Sequence, residues 1–370
     1  MSTPGRPVPE AASAGPDRAA PVRISLALGG GGARGYAHIG VIQVLEEHGY
    51  EVVGVAGTSM GALIGGLHAA GQLDAYADWV TSLSPRDVIR LLDPTLRSPG
   101  VIKGERVMGR VVELLDGVRI EDLPVPFTAV ATDLLSRKEV WFQEGPLDMA
   151  IRASVALPSF FAPVVLNGRL LADGGMMNPV PIAPLSGLAA DRSVAVNLSG
   201  APEGRSSLSS WTRESSDPRP ASEWQGRLRR TAAQVLDNDA GRRLSQWLST
   251  RRAESGDTEL DQAEAPSAGP LPASAGGFEE LPPALGMIDV MELSYDALES
   301  VVLRYRLASY PPDIMITLPK NVCRTLDFHR AAEMIQVGRE YTERALQEDA
   351  AHAAEDVIAS PQRPDLPTGS

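Results

Sequence analysis

A serine at the centre of the pentapeptide GTSMG (57–61) is the first candidate for chemistry in this sequence. An apolar stretch at 52–55 precedes it, and 62–70 has the composition of an apolar helix, so the pentapeptide is predicted to form a strand-to-helix turn. In G-x-S-x-G the two glycines allow a sharp turn that lifts the serine hydroxyl above the end of a sheet. The alternative is that Ser59 is a helix N-cap. A nucleophilic serine also needs a base and an oxyanion site.

Four consecutive glycines at 29–32 follow a predicted strand and open a predicted helix. Their backbone N–H groups can gather at the positive end of the helix dipole, which predicts an anion site. Residues 30–35 also fit G-x-G-x-x-G, but a dinucleotide site needs an acidic residue at the end of the next strand, and here that strand runs into Ser59. The pattern therefore favours an oxyanion hole. Arg34 either adds charge to this site or anchors the loop through backbone carbonyls.

The base for Ser59 is not an obvious histidine. The chain has five of them: His38, His48, His68, His329 and His352. The first three lie in or at the ends of predicted helices and should face the protein body or solvent, and the fourth opens the final helix, where a structural role is expected. Asp173 ends a short predicted strand and precedes two glycines, which could bring its carboxylate to the same sheet edge as Ser59. A carboxylate within hydrogen-bond reach can accept the proton directly; an ordinary Asp-Gly turn is the alternative.

Predicted strands and helices alternate from residue 22 onward. Strands are expected at 22–28, 52–55, 126–132, 139–142, up to 172, 193–198 and 314–318. Helices are expected at 33–48, 62–70, 74–83, 104–115, 147–155, from about 179, 287–308 and 327–347. This alternation predicts an α/β fold with a mostly parallel sheet covered by helices on both faces. Such sheets bind ligands at the carboxyl ends of their strands, where Ser59 and the glycine loop lie.

Composition divides the 370 residues into five segments. We predict a disordered leader at 1–21, a core at 22–200, an insertion at 201–285, the C-terminal part of the core at 286–347, and a disordered tail at 348–370. The chain is 43% hydrophobic and 22% charged, as expected of a globular protein.

The insertion contains one stretch with helical spacing of apolar residues, predicted as an amphipathic helix at 224–250. Between 224 and 252 there are seven arginines and two aspartates, a local charge of +5, beside two tryptophans. Such a helix could rest on a lipid surface or pack on the protein body. The leader lacks the apolar region of a secretion signal, and no run has the length of a membrane span. We therefore expect a cytoplasmic protein that could contact the inner membrane face.

Charge and cysteine content narrow the class of protein further. A net charge of −13 argues against general nucleic-acid binding. With Cys323 as its one cysteine, the chain forms no intramolecular disulfide. No loop carries oxygen ligands at the spacing of a calcium site, so we expect neither a metal nor another cofactor.

These motifs together resemble the bacterial branch of the patatin-like phospholipase family. The resemblance rests on GGGGARGYAHIGV (29–41), GTSMG (57–61), IRASVALPSFFAPV (151–164), DGG (173–175) with NPVP (178–181), and DFHRAAEMIQVG (327–338). It covers roughly 22–200 and 286–347, and it implies a three-layer α/β/α sandwich. It also implies a Ser-Asp dyad without histidine, with Ser59 as nucleophile and Asp173 as general base. Gly30, Gly31, Gly32 and Arg34 would belong to the oxyanion loop.

The activity that this resemblance implies is hydrolysis of lipid esters. A phospholipase A or lysophospholipase would cleave phospholipids or lysophospholipids through an acyl-enzyme intermediate. The alternative is a weak or inactive protein of the same fold that binds lipid or regulates a partner. The insertion at 201–285 has no counterpart in the resemblance.

Overall fold

The computed structural model describes residues 20–92, 104–158, 161–201 and 287–359. The predicted leader lies almost wholly outside these ranges, and the predicted insertion, with its helix at 224–250, lies outside them apart from residue 201. The strands are β1 (Val22–Leu28), β2 (Tyr50–Thr58), β3 (Phe127–Asp133), β4 (Lys138–Phe142), β5 (Val164–Leu166), β6 (Arg169–Asp173), β7 (Arg192–Gly200) and β8 (Ile314–Pro319). The α-helices are α1 (Ala37–Glu47), α2 (Met60–Ala69), α3 (Leu73–Ser82), α4 (Pro85–Leu92), α5 (Glu105–Leu115), α6 (Leu147–Ser154), α7 (Met287–Ser309) and α8 (Ala331–Ala359).

Five strands form the parallel part of the sheet, in the order β8, β7, β1, β2, β3. β4 runs antiparallel along β3, β6 also pairs antiparallel with β3, and β5 pairs antiparallel with β6. Parallel strands are buried on both faces, and the burial of every residue in β3 fits this arrangement. The sheet is therefore mixed and mostly parallel.

The carboxyl ends of β2 and β6 meet along one edge of β3. β2 pairs with β3 up to Thr58 opposite Val130, and β6 pairs with it from the other direction, ending with Asp173 opposite Ala131. β4 occupies the other edge of β3 over the same residues, which places β2 and β6 end to end on one edge. This topology brings the residue after β2 close to the last residue of β6.

Helices cover both faces of the sheet. The larger buried cluster includes residues of α1, α2, α3, α5 and α8. On the other face, a smaller cluster joins the sheet to the segment 180–185 and to Leu303 of α7. These layers confirm the predicted three-layer α/β/α sandwich.

Two element predictions need correction. The segment expected to form a helix from about residue 179 contains only a short 3-10 turn at Ala183–Leu185. Pro179, Pro181 and Pro184 explain this, because proline lacks the N–H group that a helix interior needs. Near the C-terminus, α8 continues to Ala359, so residues 348–359 are helical where a disordered tail was expected. The residues after 347 are rich in alanine and glutamate, which favour helix, and no proline follows until Pro361.

No helix within the described ranges is long and apolar enough to cross a membrane.

Candidate active site

Ser59 lies on the sharp turn between β2 and α2. Its φ of 55° and ψ of −124° are unusual for a residue with a side chain, and such strained serines occur at nucleophile elbows. Both flanking glycines are required by close backbone approach: a Cβ atom on Gly57 would collide with the carbonyl of Gly61, and one on Gly61 with the carbonyl of Leu28. Ser59 occupies the N-cap position of α2 but makes no side-chain capping bond there. The geometry of the turn is therefore that of an elbow.

Asp173 faces Ser59 from the end of β6, and only 2% of its surface is exposed. Its Oδ1 accepts a hydrogen bond from the Gly175 amide at 2.8 Å. Burial raises the pKa of Asp173 to about 6, an effect that hydrogen bonding with the Ser59 side chain and the Gly175 amide partly offsets. A carboxylate with this pKa is mostly ionised at neutral pH, and it is a stronger base than an exposed aspartate.

Ser154, at the end of α6, fixes the backbone of the elbow. Its side chain is fully buried; its Oγ donates to the Val130 carbonyl at 2.6 Å and accepts from the Ser59 amide at 2.9 Å. One hydroxyl thus joins β3 to the backbone of Ser59. Sequence reasoning missed this role, although Ser154 lies within the stretch 151–164 that carried the family resemblance.

A second polar chain supports the loop that follows Asp173. Thr58 Oγ1 donates to the Asn178 carbonyl at 2.8 Å, and the Asn178 side chain donates to Glu139 Oε2 at 2.9 Å. Arg306 of α7 pairs with the other oxygen of Glu139 and donates to the Met177 carbonyl at 3.1 Å. α7 is therefore tied to the loop that follows Asp173.

The glycine loop passes beside the serine. A Cβ atom on Gly30 would lie 3.4 Å from Ser59 Cβ. The Gly30 amide donates to the Pro179 carbonyl at 3.1 Å. Among the described residues, no carbonyl accepts a hydrogen bond from the amides of Gly31 and Gly32. These two amides are the loop donors that remain open to an external oxygen.

Arg34 is buried and bonds to backbone carbonyls. Its Nη1 donates to the carbonyl of Cys323 at 3.0 Å and to that of Lys320 at 3.2 Å. These contacts correspond to the anchoring interpretation of Arg34: the guanidinium joins the glycine loop to the segment after β8.

His38 lies behind the glycine loop. Its Nε2 is 2.8 Å from the Gly29 carbonyl, and burial lowers its pKa to about 4, so the ring is neutral at pH 7 and donates this hydrogen bond through Nε2–H. His48 pairs with Glu343 at 3.1 Å, and His68 lies 3.8 Å from Glu46. Within the described ranges, no group of three His, Cys, Asp or Glu side chains could hold a metal ion.

An apolar cleft opens at Ser59. The cleft and the open solvent at its mouth together take up about 910 Å³. Its apolar walls include Met60, Leu63, Tyr76, Trp79, Met108 and Phe161. A serine that borders an apolar cleft of this kind can receive an ester whose acyl part is a hydrocarbon chain.

Comparison with known proteins identifies the family of the chain. The model of the family described as patatin-like phospholipase matches residues 26–186, which include Ser59 and Asp173. An uncharacterized NTE family protein of Mycobacterium bovis is 44% identical over 337 residues, covering 88% of this chain and 91% of its own. The chain belongs to the bacterial patatin-like phospholipase family. An uncharacterized NTE family protein of Mycobacterium tuberculosis H37Rv matches the chain with the same identity and coverage.

Two eukaryotic relatives match over a smaller part of their length. Lysophospholipase NTE1 of Cryptococcus neoformans is 36% identical over 173 residues, 44% of this chain and 10% of its own. Patatin-like phospholipase domain-containing protein 6 of mouse is 34% identical over 183 residues, 47% of this chain and 13% of its own. Patatin-like phospholipase and lysophospholipase relatives support a lipid hydrolase family.

Proposed function

We propose that this chain is a serine hydrolase that cleaves carboxylic esters of lipids through a dyad of Ser59 and Asp173. The observation that carries the proposal is the end-to-end meeting of β2 and β6 on β3, which places a strained serine beside a buried carboxylate. The apolar cleft that opens at the same serine supports a lipid substrate.

In the acylation step, the Asp173 carboxylate accepts the Ser59 proton while Oγ attacks the ester carbonyl. The amides of Gly31 and Gly32 stabilise the oxyanion of the tetrahedral intermediate, and Arg34 and His38 hold the loop that carries them. The carbon–oxygen bond to the alcohol then breaks, and the alcohol leaves with the proton held by Asp173. Water attacks the acyl-enzyme with Asp173 as base, which releases the fatty acid and restores Ser59.

Phospholipids or lysophospholipids are the proposed substrates. The apolar cleft suits one acyl chain, and a relative is named a lysophospholipase. Action on such lipids would bring the protein to a membrane surface, and we propose peripheral contact at the inner face of the membrane, from the cytoplasm. Liposome co-sedimentation of the full chain measures that contact; absence of binding would contradict it.

The experiment compares the full-length wild type with Ser59→Ala and Asp173→Asn on a short-chain p-nitrophenyl ester and on a lysophospholipid. Ser300→Ala and Asp78→Asn are matched controls, because both side chains are exposed. We expect the two dyad variants to lose turnover and the controls to keep it. Turnover that survives in Ser59→Ala would overturn the proposal. A folded wild type that binds lipid without turnover would instead indicate the regulatory alternative.

A further inference from the structure

Tyr295 of α7 places its hydroxyl beside the Asp173 carboxylate. A Cβ atom on Gly175 would lie 2.8 Å from Tyr295 Oη and 3.1 Å from Asp173 Oδ1. The two oxygens therefore border the same small space, which stays open because residue 175 has no side chain. The sequence offered no signal for this contact, because more than one hundred residues of chain separate the two side chains.

Within the described ranges, the Tyr295 hydroxyl is a neutral donor without an acceptor. Burial raises its pKa far above the ordinary value, and the negative charge of Asp173 raises it further, so the proton stays on the oxygen at any working pH. Among the described residues, no hydrogen bond joins this hydroxyl to another group. A donor held beside the catalytic carboxylate is thus available to a group that arrives from outside.

Contacts along α7 hold Tyr295 in this position. One residue further along, Asp296 pairs with Lys320 at 3.1 Å. Towards the end of the helix, Arg306 pairs with Glu139 and with the Met177 carbonyl. Both contacts follow Tyr295 along α7, and they restrict the rotation of the helix about its axis, so that Tyr295 stays beside Asp173.

Neither Asp173 nor Tyr295 lines the apolar cleft at Ser59, whose walls include side chains of α2, α3 and α5. If the acyl chain fills the cleft, the alcohol part of the ester lies outside it, where Asp173 approaches Ser59 and Tyr295 lies beside Asp173. The oxygen that leaves in acylation then lies near both side chains.

We propose that Tyr295 is a further catalytic residue, which donates a hydrogen bond to the leaving oxygen of the ester. This inference rests on the proposed function. As the bond between the acyl carbon and the alcohol oxygen breaks, Asp173 returns the Ser59 proton to that oxygen, and the Tyr295 hydroxyl stabilises the negative charge developing on it. In deacylation water takes the same place, gives its proton to Asp173 and accepts the Tyr295 hydrogen bond.

Leaving groups of different basicity test this role. The leaving group of a monoacylglycerol is the basic glycerol alkoxide, which needs a proton and a hydrogen-bond donor, whereas p-nitrophenolate needs neither. We expect Tyr295→Phe to lower kcat/KM for a monoacylglycerol by about tenfold or more relative to its effect on a p-nitrophenyl ester of the same acyl chain. Tyr305→Phe is the control, because Tyr305 lies on the same helix with 75% of its surface exposed.

If Tyr295 has only a structural role, Tyr295→Phe should lower kcat/KM for both substrates by the same factor. That result would overturn the inference. No loss on either substrate, or the same selective loss in Tyr305→Phe, would also overturn it. Should Tyr295→Phe fail to fold, Tyr295→Met removes the donor with a flexible apolar side chain and is subject to the same comparison. Ser59→Ala, measured alongside, separates the two proposals: its activity decides the dyad, and the ratio between substrates decides Tyr295.

Discussion

The buried carboxylate of Asp173 sets the pH dependence of the proposed reaction. It accepts a proton only when ionised, and burial raises its pKa to about 6. We expect kcat/KM to be half-maximal near pH 6 and to fall about tenfold per pH unit below it. Initial rates on a p-nitrophenyl ester between pH 4.5 and 8 measure this, with circular dichroism at each pH to show that the fold persists. A rate that stays constant down to pH 4.5 would exclude Asp173 as the base.

Ser154 is expected to matter for both stability and turnover, although it lies outside the dyad. Ser154→Ala leaves the Ser59 amide and the Val130 carbonyl buried without their shared partner. Each such group costs about 1–3 kcal/mol, so we expect a lower free energy of unfolding and, because the elbow loosens, a lower kcat. Urea unfolding and ester hydrolysis measure the two effects. Ser300→Ala, at an exposed serine that bonds only within α7, is the control. Equal behaviour of the two variants would contradict this role.

At the residue scale, the sequence identified the groups that lie within short motifs. Ser59 and its glycines form a local turn, so their spacing predicted the elbow. Ser154 and Tyr295 reach the site through tertiary packing from distant parts of the chain, and no local pattern reports such contacts. Arg34 lies within a short motif, but its role depends on distant residues. The sequence left open whether it adds charge or anchors the loop, and the contacts that distinguish these interpretations are with the carbonyls of residues 320 and 323.

At the element scale, the parallel strands were predicted from their apolar runs, but the direction of β6 was not. The signal was present in the dipeptide Asn167-Gly168, which joins β5 to β6 and has positive φ at both residues, 49° and 76°. Asn-Gly between two strands is a strong indication of a hairpin. Reading it would have predicted β5 and β6 as antiparallel. The pairing of β6 with β3, which brings Asp173 to Ser59, is a long-range contact and could not be predicted in this way.

The position of the glycine loop depends on the absence of a side chain at Gly31. A Cβ atom on Gly31 would lie 2.8 Å from Leu198 Cβ on β7, so Gly31→Val must displace the loop from the sheet end. Losing the alignment of the oxyanion donors should lower kcat on the order of 10²–10³-fold. Gly109→Ala is the control, since no atom lies within 4 Å of the added methyl group. Activity of Gly31→Val close to the wild-type value would show that the loop is not the oxyanion site.

At the scale of the whole molecule, the sequence predicted one core interrupted by an insertion. β7 ends at Gly200, and the chain returns to the core with α7 from Met287 onward. This helix covers one face of the sheet. Its Tyr295 lies beside Asp173, and its Arg306 pairs with Glu139. Composition predicts an insertion at 201–285, because Ser, Pro and Gly enrichment is a local property. It could not show that the first helix after the interruption would contribute to the site.

The buried carboxylate of Asp173 should also lower the stability of the whole protein at neutral pH. The pKa of Asp173 is about 6 in the folded state against a model-peptide value of 3.8, so the folded protein binds its proton more tightly than the unfolded chain does. Below pH 3.8 both states are protonated, and Asp173 imposes no penalty. As the pH rises through 6, folding must bury a charge, and the free energy of unfolding falls by up to about 3 kcal/mol.

Asp173→Asn removes this charge and keeps an oxygen that can accept from the Gly175 amide. We therefore expect the variant to unfold at higher urea concentration than the wild type at pH 8, and the difference to disappear near pH 4. Asp78→Asn, at an exposed aspartate, should show neither effect. A variant that is less stable than the wild type at pH 8 would mean that hydrogen bonds of the carboxylate outweigh its desolvation. In that case the Asp173 carboxylate would contribute to the stability of the fold. The expected result means instead that the fold tolerates a destabilising charge because the reaction requires it.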